Sequence, residues 1–180
     1  MEKSRIKDGL KMKVVIIGGV AGGMSAATRL RRLREDAEII VYEKGPYVSF
    51  ANCGLPYFIG GVIDKKESLL LQTPQSLWNR FRLDVRVNTE VTKIDRENQT
   101  ITAVNPETGE QQEHYDYLII SPGANPRKLP IEGIDRAVVL KDVEDSVRIK
   151  EMVDAGKIKS AAFLGAGFIG VDLAENLVHR

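Results

Sequence analysis

Cys53 is the only cysteine of the 180-residue chain, and it lies in the segment SFANCGLPYFIG. A single thiol cannot form an intramolecular disulfide, and together with two histidines it cannot build a metal cluster. A lone cysteine is by default a small, buried and inert side chain. Asn52, however, is a good helix cap before a short apolar segment, which predicts Cys53 at a helix N-terminus. Such a position favours the thiolate, so the sequence makes Cys53 a candidate nucleophile.

A glycine-rich loop near the start of the chain has the context of a dinucleotide-binding loop. Val20 stands where the GxGxxG pattern requires glycine, so the close approach of a pyrophosphate must tolerate one Cβ. The amides of the following helix suit phosphates. Glu43, at the end of the next predicted strand, suits a ribose diol. The alternative is a tight structural turn. The string VVIIGGVAGG places its glycines at Gly18, Gly19, Gly22 and Gly23.

A second loop, GAGFIG, is a complete GxGxxG at Gly165, Gly167 and Gly170, again between a predicted strand and a predicted helix. Two loops in the same context are far stronger evidence than one, and they imply two dinucleotides. A flavin and a nicotinamide are the natural pair, because hydride passes from one to the other.

The elements that position the first loop follow from hydrophobic periodicity. Continuous apolar runs at Lys13–Ile17 and 38–42 predict two buried parallel strands, with a helix over 22–34 between them. Alternating apolar and polar residues from Val85 to Tyr117 predict a three-stranded antiparallel meander. We expect one buried helix stripe, formed by Ala26, Ala27, Leu30 and Leu33.

The remaining elements predict the start of a second domain. Residues 121–133 are rich in proline and glycine, as linkers are. A helix over 142–155, a strand over 160–164 and a new helix follow. The predicted fold is α/β: a Rossmann-like FAD-binding domain with a three-stranded antiparallel meander, then the start of a second Rossmann-like NAD(P)-binding domain. We divide the chain into an N-terminal extension (1–11), the first segment of the FAD-binding domain (12–124), and the linker with the truncated NAD(P)-binding domain (125–180).

Composition excludes several classes of partner. Lys and Arg number 26 and Asp and Glu 25, so the net charge of +1 creates no global field for nucleic acid or an anionic membrane. The first 13 residues are charged and lack the apolar region of a signal peptide, and no apolar run is long enough to span a bilayer. We expect a cytoplasmic protein with no metal.

Several segments resemble the pyridine nucleotide-disulfide oxidoreductases, in their single-cysteine branch marked by SFxxC. The resemblance covers 12–180 and rests on the first loop, EKGPYVSFANCGLPY, the meander, YDYLIISPGA and GAGFIG. Within that branch the chain is most similar to the coenzyme A disulfide reductases, including rhodanese-fused and persulfide-reducing members. The other branch has two cysteines separated by four residues, whereas Phe58 stands at the second position here.

The resemblance implies a redox-active flavoprotein in which NAD(P)H reduces FAD, and the flavin reduces a mixed disulfide of Cys53 with coenzyme A. It also implies a homodimer for the complete protein. The implied FAD-binding residues are Gly18, Gly19, Val20, Ala21, Gly22, Glu43, Lys44, Val91, Ser121 and Gly123. Those for NAD(P)H are Gly165, Gly167, Phe168, Ile169 and Gly170, and those for coenzyme A are Ser25, Arg29, Arg32, Ser49 and Asn52.

A physical argument from the first predicted helix supports coenzyme A as the substrate. Ser25, Arg29 and Arg32 follow at i, i+4 and i+7, so they form one polar stripe. Guanidinium groups suit the pyrophosphate and 3′-phosphate of coenzyme A. The alternative is an ordinary solvated basic face, since Arg31 and Arg34 lie on the same helix.

Two other functions stay open at the level of sequence. An NADH oxidase or peroxidase would cycle Cys53 through a sulfenic acid, and such relatives also contain SFxxC. A non-catalytic flavin-binding module would use Cys53 only as a structural residue.

Overall fold

The computed structural model describes residues 11–127, 129–156, 158–178 and 180. The proposed extension 1–11 therefore lies outside the described residues except for Lys11. The described chain divides into two compact units, one made of residues 11–49 and 72–123 and the other of residues 50–71 and 124–180.

Both units combine helices with short connecting segments, and the strands belong to the first unit. The helices are α1 (Ala21–Leu33), α2 (Leu55–Ile59), α3 (Pro74–Phe81), α4 (Val143–Asp154) and α5 (Phe168–Val178). The strands are β1 (Lys13–Ile17), β2 (Glu38–Tyr42), β3 (Asp84–Arg86), β4 (Glu90–Asp95), β5 (Thr100–Asn105), β6 (Gly109–His114) and β7 (Tyr117–Ile120).

A four-stranded parallel sheet in the order β3-β2-β1-β7 forms the centre of the first unit. Because side chains alternate along a strand, β1 sends Val14 and Ile16 to one face and Val15 to the other. On the first face, Val14 and Ile16 belong to one buried cluster with Met24 of α1 and Leu77 of α3. The predicted Rossmann-like arrangement of strand, glycine loop, helix and strand is confirmed.

The antiparallel meander β4-β5-β6 covers the opposite face of the sheet. Ile101 and Ala103 of β5 pack with Val15, Ile40 and Tyr42 of the parallel strands in a second buried cluster. The first unit therefore has three layers, with helices, parallel sheet and meander in that order.

Two details of the first unit differ from the sequence-based expectation. The alternating run from Val85 to Tyr117 is not all meander, because its two ends pair in parallel with β2 and β1 as β3 and β7. Asn88, with a φ of 52°, bends the chain between β3 and β4. Leu33 is 61% exposed rather than buried, whereas Ala27 of the same predicted stripe is fully buried.

A cluster of charged side chains ties the meander to the parallel sheet. Glu113 of β6 lies 2.8 Å from the Lys13 ammonium and 3.1 Å from the Arg86 guanidinium. Arg86 also pairs with Asp84 at 2.7 Å and donates to the Tyr42 hydroxyl at 2.6 Å. Burial acts to raise the pKa of Glu113, but Lys13 and Arg86 outweigh it, so that the pKa is lowered. Burial raises the pKa of Tyr42 to about 12.

The second unit is helical in its described part. α2 packs against both α4 and α5, and Asp142 caps α4 by accepting a hydrogen bond from the Asp145 amide at 2.9 Å. The expected strand over 160–164 is absent, because no described segment pairs with it and Leu164 is 66% exposed. A buried parallel strand needs neighbours to satisfy its backbone. No described helix has the length and apolar character required to cross a membrane.

Replacing Glu113 by Gln is expected to lower the free energy of unfolding at neutral pH by roughly 1–3 kcal/mol, since Lys13 and Arg86 lose a charged partner. Because the folded-state pKa of Glu113 is lowered, its stabilisation is present above the unfolded-state pKa and is lost as the pH falls through the folded-state pKa. The difference between wild type and E113Q should therefore shrink in acid. Urea unfolding at neutral and acidic pH measures it. Glu110→Gln, at an exposed position of β6, is the matched control, and an equal effect of both changes would contradict the role of the cluster.

Candidate functional site

The first glycine loop packs tightly against the end of β7. Gly18 has a φ of +102°, and a Cβ there would overlap the Ser121 carbonyl oxygen. A Cβ at Gly22 would lie 2.5 Å from Ser121 Oγ, and one at Gly23 would overlap the Gly18 carbonyl. The first turn of α1 is therefore held close to the end of β1, with its unpaired amides at the loop. Val20 precedes α1 at a φ of −103°, so its Cβ is tolerated there.

Glu43 links this loop to the end of β2. Its carboxylate accepts hydrogen bonds from the Gly19 amide at 2.6 Å and from the Gly45 amide at 2.7 Å. A carboxylate offers about four acceptor positions, so two backbone bonds leave room for a ribose diol. Gly45 was not identified from the sequence, although a glycine two residues after the acidic residue was a visible signal.

Other residues with an implied ligand contact lie around the same loop or on the meander. Ser49, expected to contact coenzyme A, has a φ of 47° and donates its amide to the Gly19 carbonyl at 3.0 Å. Lys44 is exposed and pairs with Glu90 at 2.8 Å. Val91 pairs with Ala103 next to an irregularity of β4. Gly123 has a φ of +72° with open space where a side chain would stand.

The first glycine loop forms a cradle together with two neighbouring features. These are the exposed helix-start residues Ala21 and Gly22, with their amides, and the acidic side chain at the end of β2. A larger side chain at Gly22 would fill this cradle. The residues present therefore fit the diphosphate and ribose of FAD. Among the described residues, no group of three or more His, Cys, Asp or Glu side chains is suited to hold a metal ion.

The arginines of α1 divide into two kinds. Arg31 donates to the carbonyls of Phe81 at 2.8 Å, Glu35 at 2.7 Å and Arg82 at 3.0 Å, and it thereby holds α1 to the end of α3. This structural role was missed from the sequence, where nothing distinguishes Arg31 from the neighbouring arginines of the predicted helix.

The other arginines on α1 and directly after it have different surroundings. Arg34 pairs with Asp36 at 3.1 Å. Arg29 and Arg32 are exposed, as is Ser25, and neither guanidinium has a hydrogen bond or ion pair within the described residues. The polar stripe predicted from the sequence thus presents two uncommitted positive charges.

Cys53 is exposed and lies in the second unit, in a 3-10 turn over Asn52–Gly54 that runs directly into α2. The expected cap at Asn52 is wrong. Ala51 precedes the turn, no side chain caps it, and Asn52 is itself the first residue of the turn. The strand-like segment before it is anchored by a bridge between Phe50 and Leu70. The Ala51 amide adds a hydrogen bond to the Leu69 carbonyl at 2.8 Å.

The second glycine loop repeats the geometry of the first. Gly165 has a φ of +101°, and a Cβ at Gly170 would lie 3.0 Å from the Gly165 carbonyl oxygen, as Gly23 faces Gly18 in the first loop. α5 begins at Phe168 within the loop, with Phe168 and Ile169 exposed. A depression beside the loop is lined by residues including Ala166 and Val171. These features fit a second dinucleotide.

Comparison with known proteins decides the family. Residues 12–179 match the pyridine nucleotide-disulphide oxidoreductases. The chain belongs to this family. The coenzyme A disulfide reductase of Staphylococcus aureus (strain JH9) is 39% identical over 169 residues, which are 93% of this chain and 38% of that protein. The chain thus spans well under half the length of this relative.

Two solved structures are also similar. The reduced Bacillus anthracis CoADR-RHD has 51% identity and a TM-score of 0.91, with 94% of this chain and 31% of that chain covered. A NAD-dependent persulfide reductase from A. fulgidus has 40% identity and a TM-score of 0.88, with 93% and 32% covered. Members of the family are enzymes that bind FAD and NAD(P)H. The predicted family and fold class are confirmed.

We expect Glu43→Ala to lower the flavin content of the purified protein at least about tenfold, since two backbone anchors and the ribose acceptor, each a bond to a charged group, are lost together. The ratio of visible flavin absorbance to protein absorbance measures it. Glu107→Ala, at an exposed position of the turn between β5 and β6, is the control. Full flavin content in the Glu43 variant would show that the carboxylate is not part of the FAD site.

Proposed function

We propose that the protein is an FAD-dependent NAD(P)H:disulfide oxidoreductase that reduces coenzyme A disulfide or coenzyme A persulfide. The reaction proceeds through a mixed disulfide between Cys53 and coenzyme A. The named relatives, a coenzyme A disulfide reductase and a persulfide reductase, support this substrate class. We further propose that the complete protein is a cytoplasmic homodimer.

The observation that carries the proposal is the contrast among the arginines on α1 and directly after it. Arg31 and Arg34 have protein partners, whereas Arg29 and Arg32 are exposed and have none among the described residues. Two uncommitted guanidinium groups beside Ser25 suit a ligand with several phosphate groups. Coenzyme A is such a ligand, and peroxide is not.

The chemistry follows from a single exposed thiol. The Cys53 thiolate attacks one sulfur of coenzyme A disulfide, so a bond from Cys53 to coenzyme A forms as the substrate disulfide bond breaks. The second coenzyme A leaves as the thiolate. With coenzyme A persulfide the leaving group is hydrosulfide. Two electrons from NAD(P)H and one proton then cleave the mixed disulfide, which restores the Cys53 thiolate and releases coenzyme A.

Bound FAD supplies the two-electron relay between NAD(P)H and sulfur. Gly18, Val20, Ala21 and Gly22 would hold its diphosphate, and Glu43 its ribose. The remaining proposed FAD contacts are Gly19, Lys44, Val91, Ser121 and Gly123. For NAD(P)H they are Gly165, Gly167, Phe168, Ile169 and Gly170, and for coenzyme A they include Ser49 and Asn52.

Replacing Arg29 or Arg32 by Ala is expected to raise KM for coenzyme A disulfide about tenfold each, the effect of losing one charge-assisted bond to phosphate. The turnover number should change little, because the proposed contacts of both residues are with the phosphates and not with the sulfur atoms. Pantethine, which has the disulfide but lacks the nucleotide, should show no change in KM. Arg34→Ala, at the residue that directly follows α1, is the matched control. An equal rise in KM for pantethine would contradict a phosphate clamp.

Intact mass of the flavin-loaded protein purified without reductant tests the role of Cys53. We expect an adduct of the mass of coenzyme A that dithiothreitol removes, and we expect Cys53→Ser to lack both the adduct and the reductase activity. A gain of one oxygen at Cys53 would instead favour an NADH oxidase or peroxidase. An unmodified and unreactive thiol would favour a non-catalytic flavin-binding module.

A further inference from the structure

The C-terminal end of α2 is packed unusually closely against α5. A Cβ at Gly60, the residue after α2, would lie 2.6 Å from Oδ1 and 2.8 Å from Cβ of Asn176. Gly60 has a φ of −70°, which any residue can adopt. The requirement for glycine here therefore comes from Asn176 and not from backbone conformation.

Asn176 is itself held in place. It is 8% exposed, which is rare for a polar side chain, and its Nδ2 donates to the Asp172 carbonyl at 2.8 Å on its own helix. This bond fixes the amide group, so that Asn176 presents a rigid surface to Gly60. The contact between the end of α2 and α5 therefore leaves no space for an additional atom.

α2 is also held from the side of α4. The Lys150 ammonium of α4 lies 5.5 Å from the centre of the Phe58 ring of α2 and pairs with Asp154 at 3.2 Å. Asp154 pairs in addition with Arg180, whose guanidinium lies beside Gly61. α2 therefore packs between α4 and α5.

Each residue of the Gly60–Asn176 contact belongs to, or directly follows, a helix that is connected to a candidate functional residue or loop. α2 is continuous with the 3-10 turn that contains Cys53. α5 begins at Phe168 within the second glycine loop, and Asn176 lies about 12 Å further along the same rigid helix. One close contact thus joins the segment of the thiol to the helix of the dinucleotide loop.

We infer that Gly60 and Asn176 are positioning residues that couple the second glycine loop to Cys53: a nicotinamide dinucleotide bound at Gly165–Gly170 shifts α5, and the shift changes the reactivity of Cys53 through α2. This inference rests on the proposed function, since it takes that loop as the nicotinamide site and Cys53 as the reactive thiol. It adds a route by which the electron donor acts on the thiol before any electron moves.

The test measures thiol chemistry and not turnover. The complete flavin-loaded protein is freed of adducts with dithiothreitol and desalted without oxygen. Alkylation of Cys53 by iodoacetamide is then followed by intact mass, with and without saturating NAD⁺ or NADP⁺. Calorimetry confirms which of the two binds. In the wild type we expect the alkylation rate to change at least about fivefold on dinucleotide binding, the lower end of measured coupling between sites.

Gly60→Ala should still bind the dinucleotide but lose most of this response, because the added methyl group forces α2 and α5 apart. Asn176→Gly should lose it as well, because the contact is removed. In the double variant Gly60→Ala with Asn176→Gly, the added methyl group occupies the space that the asparagine side chain has left. We expect this variant to recover most of the change in alkylation rate. If Gly60→Ala does not fold, Asn176→Gly and the double variant still test the contact.

Three results would overturn the inference. The first is dinucleotide binding to the wild type without any change in the alkylation rate of Cys53. A full response in Gly60→Ala or Asn176→Gly would show that bound dinucleotide shields the thiol directly. Failure of the double variant to recover would assign the losses to general disruption. If neither dinucleotide binds the wild type at all, the proposed function fails, and the coupling fails with it.

Discussion

The close approach of the first turn of α1 to the end of β1 is the constraint on which the first unit depends. Gly23 leaves no room for a side chain against the Gly18 carbonyl, and Gly18 leaves none against Ser121. These two contacts fix the loop between strand and helix, and Glu43 then fixes its outer side through the Gly19 amide. A diphosphate needs amides that are already oriented, because ordering them on binding would cost conformational entropy.

The same helix serves two purposes because its faces are used differently. One face is buried against the parallel sheet through Met24 and Ala27. The end of the helix is tied to α3 by Arg31, whose guanidinium satisfies backbone carbonyls that the ends of α1 and α3 leave free. With the helix held at both ends, Arg29 and Arg32 project from a rigid support. A rigid support lowers the entropy cost of placing two charges on one ligand.

The local sequence pattern predicted most helices and strands, but it could not predict which strands pair or which distant residues are in contact. Buried runs at β1 and β2 and the paired glycine loops were predicted from the sequence because they depend on neighbouring residues. The ends of the run from Val85 to Tyr117 join the parallel sheet, and periodicity does not encode a partner strand. Asn52 enters a 3-10 turn instead of capping it, since a cap requires a helix start one residue later. The Gly60–Asn176 contact joins residues far apart in sequence, and only the structure reveals it.

The position of Phe58 bears directly on the proposed chemistry of Cys53. In the two-cysteine branch the second thiol stands here, whereas Phe58 is 5% exposed beneath Lys150 and packs between helices. A thiol at this position would give Cys53 a resolving partner that is always present. With a buried ring in its place, the described chain offers Cys53 no second thiol, and under the proposed function its partner is the thiol of the substrate. Noncovalent contacts must then orient that substrate before the sulfur atoms meet, which is the task we assign to Arg29 and Arg32. The ring that excludes an internal disulfide also fixes α2, so one substitution serves both packing and chemistry.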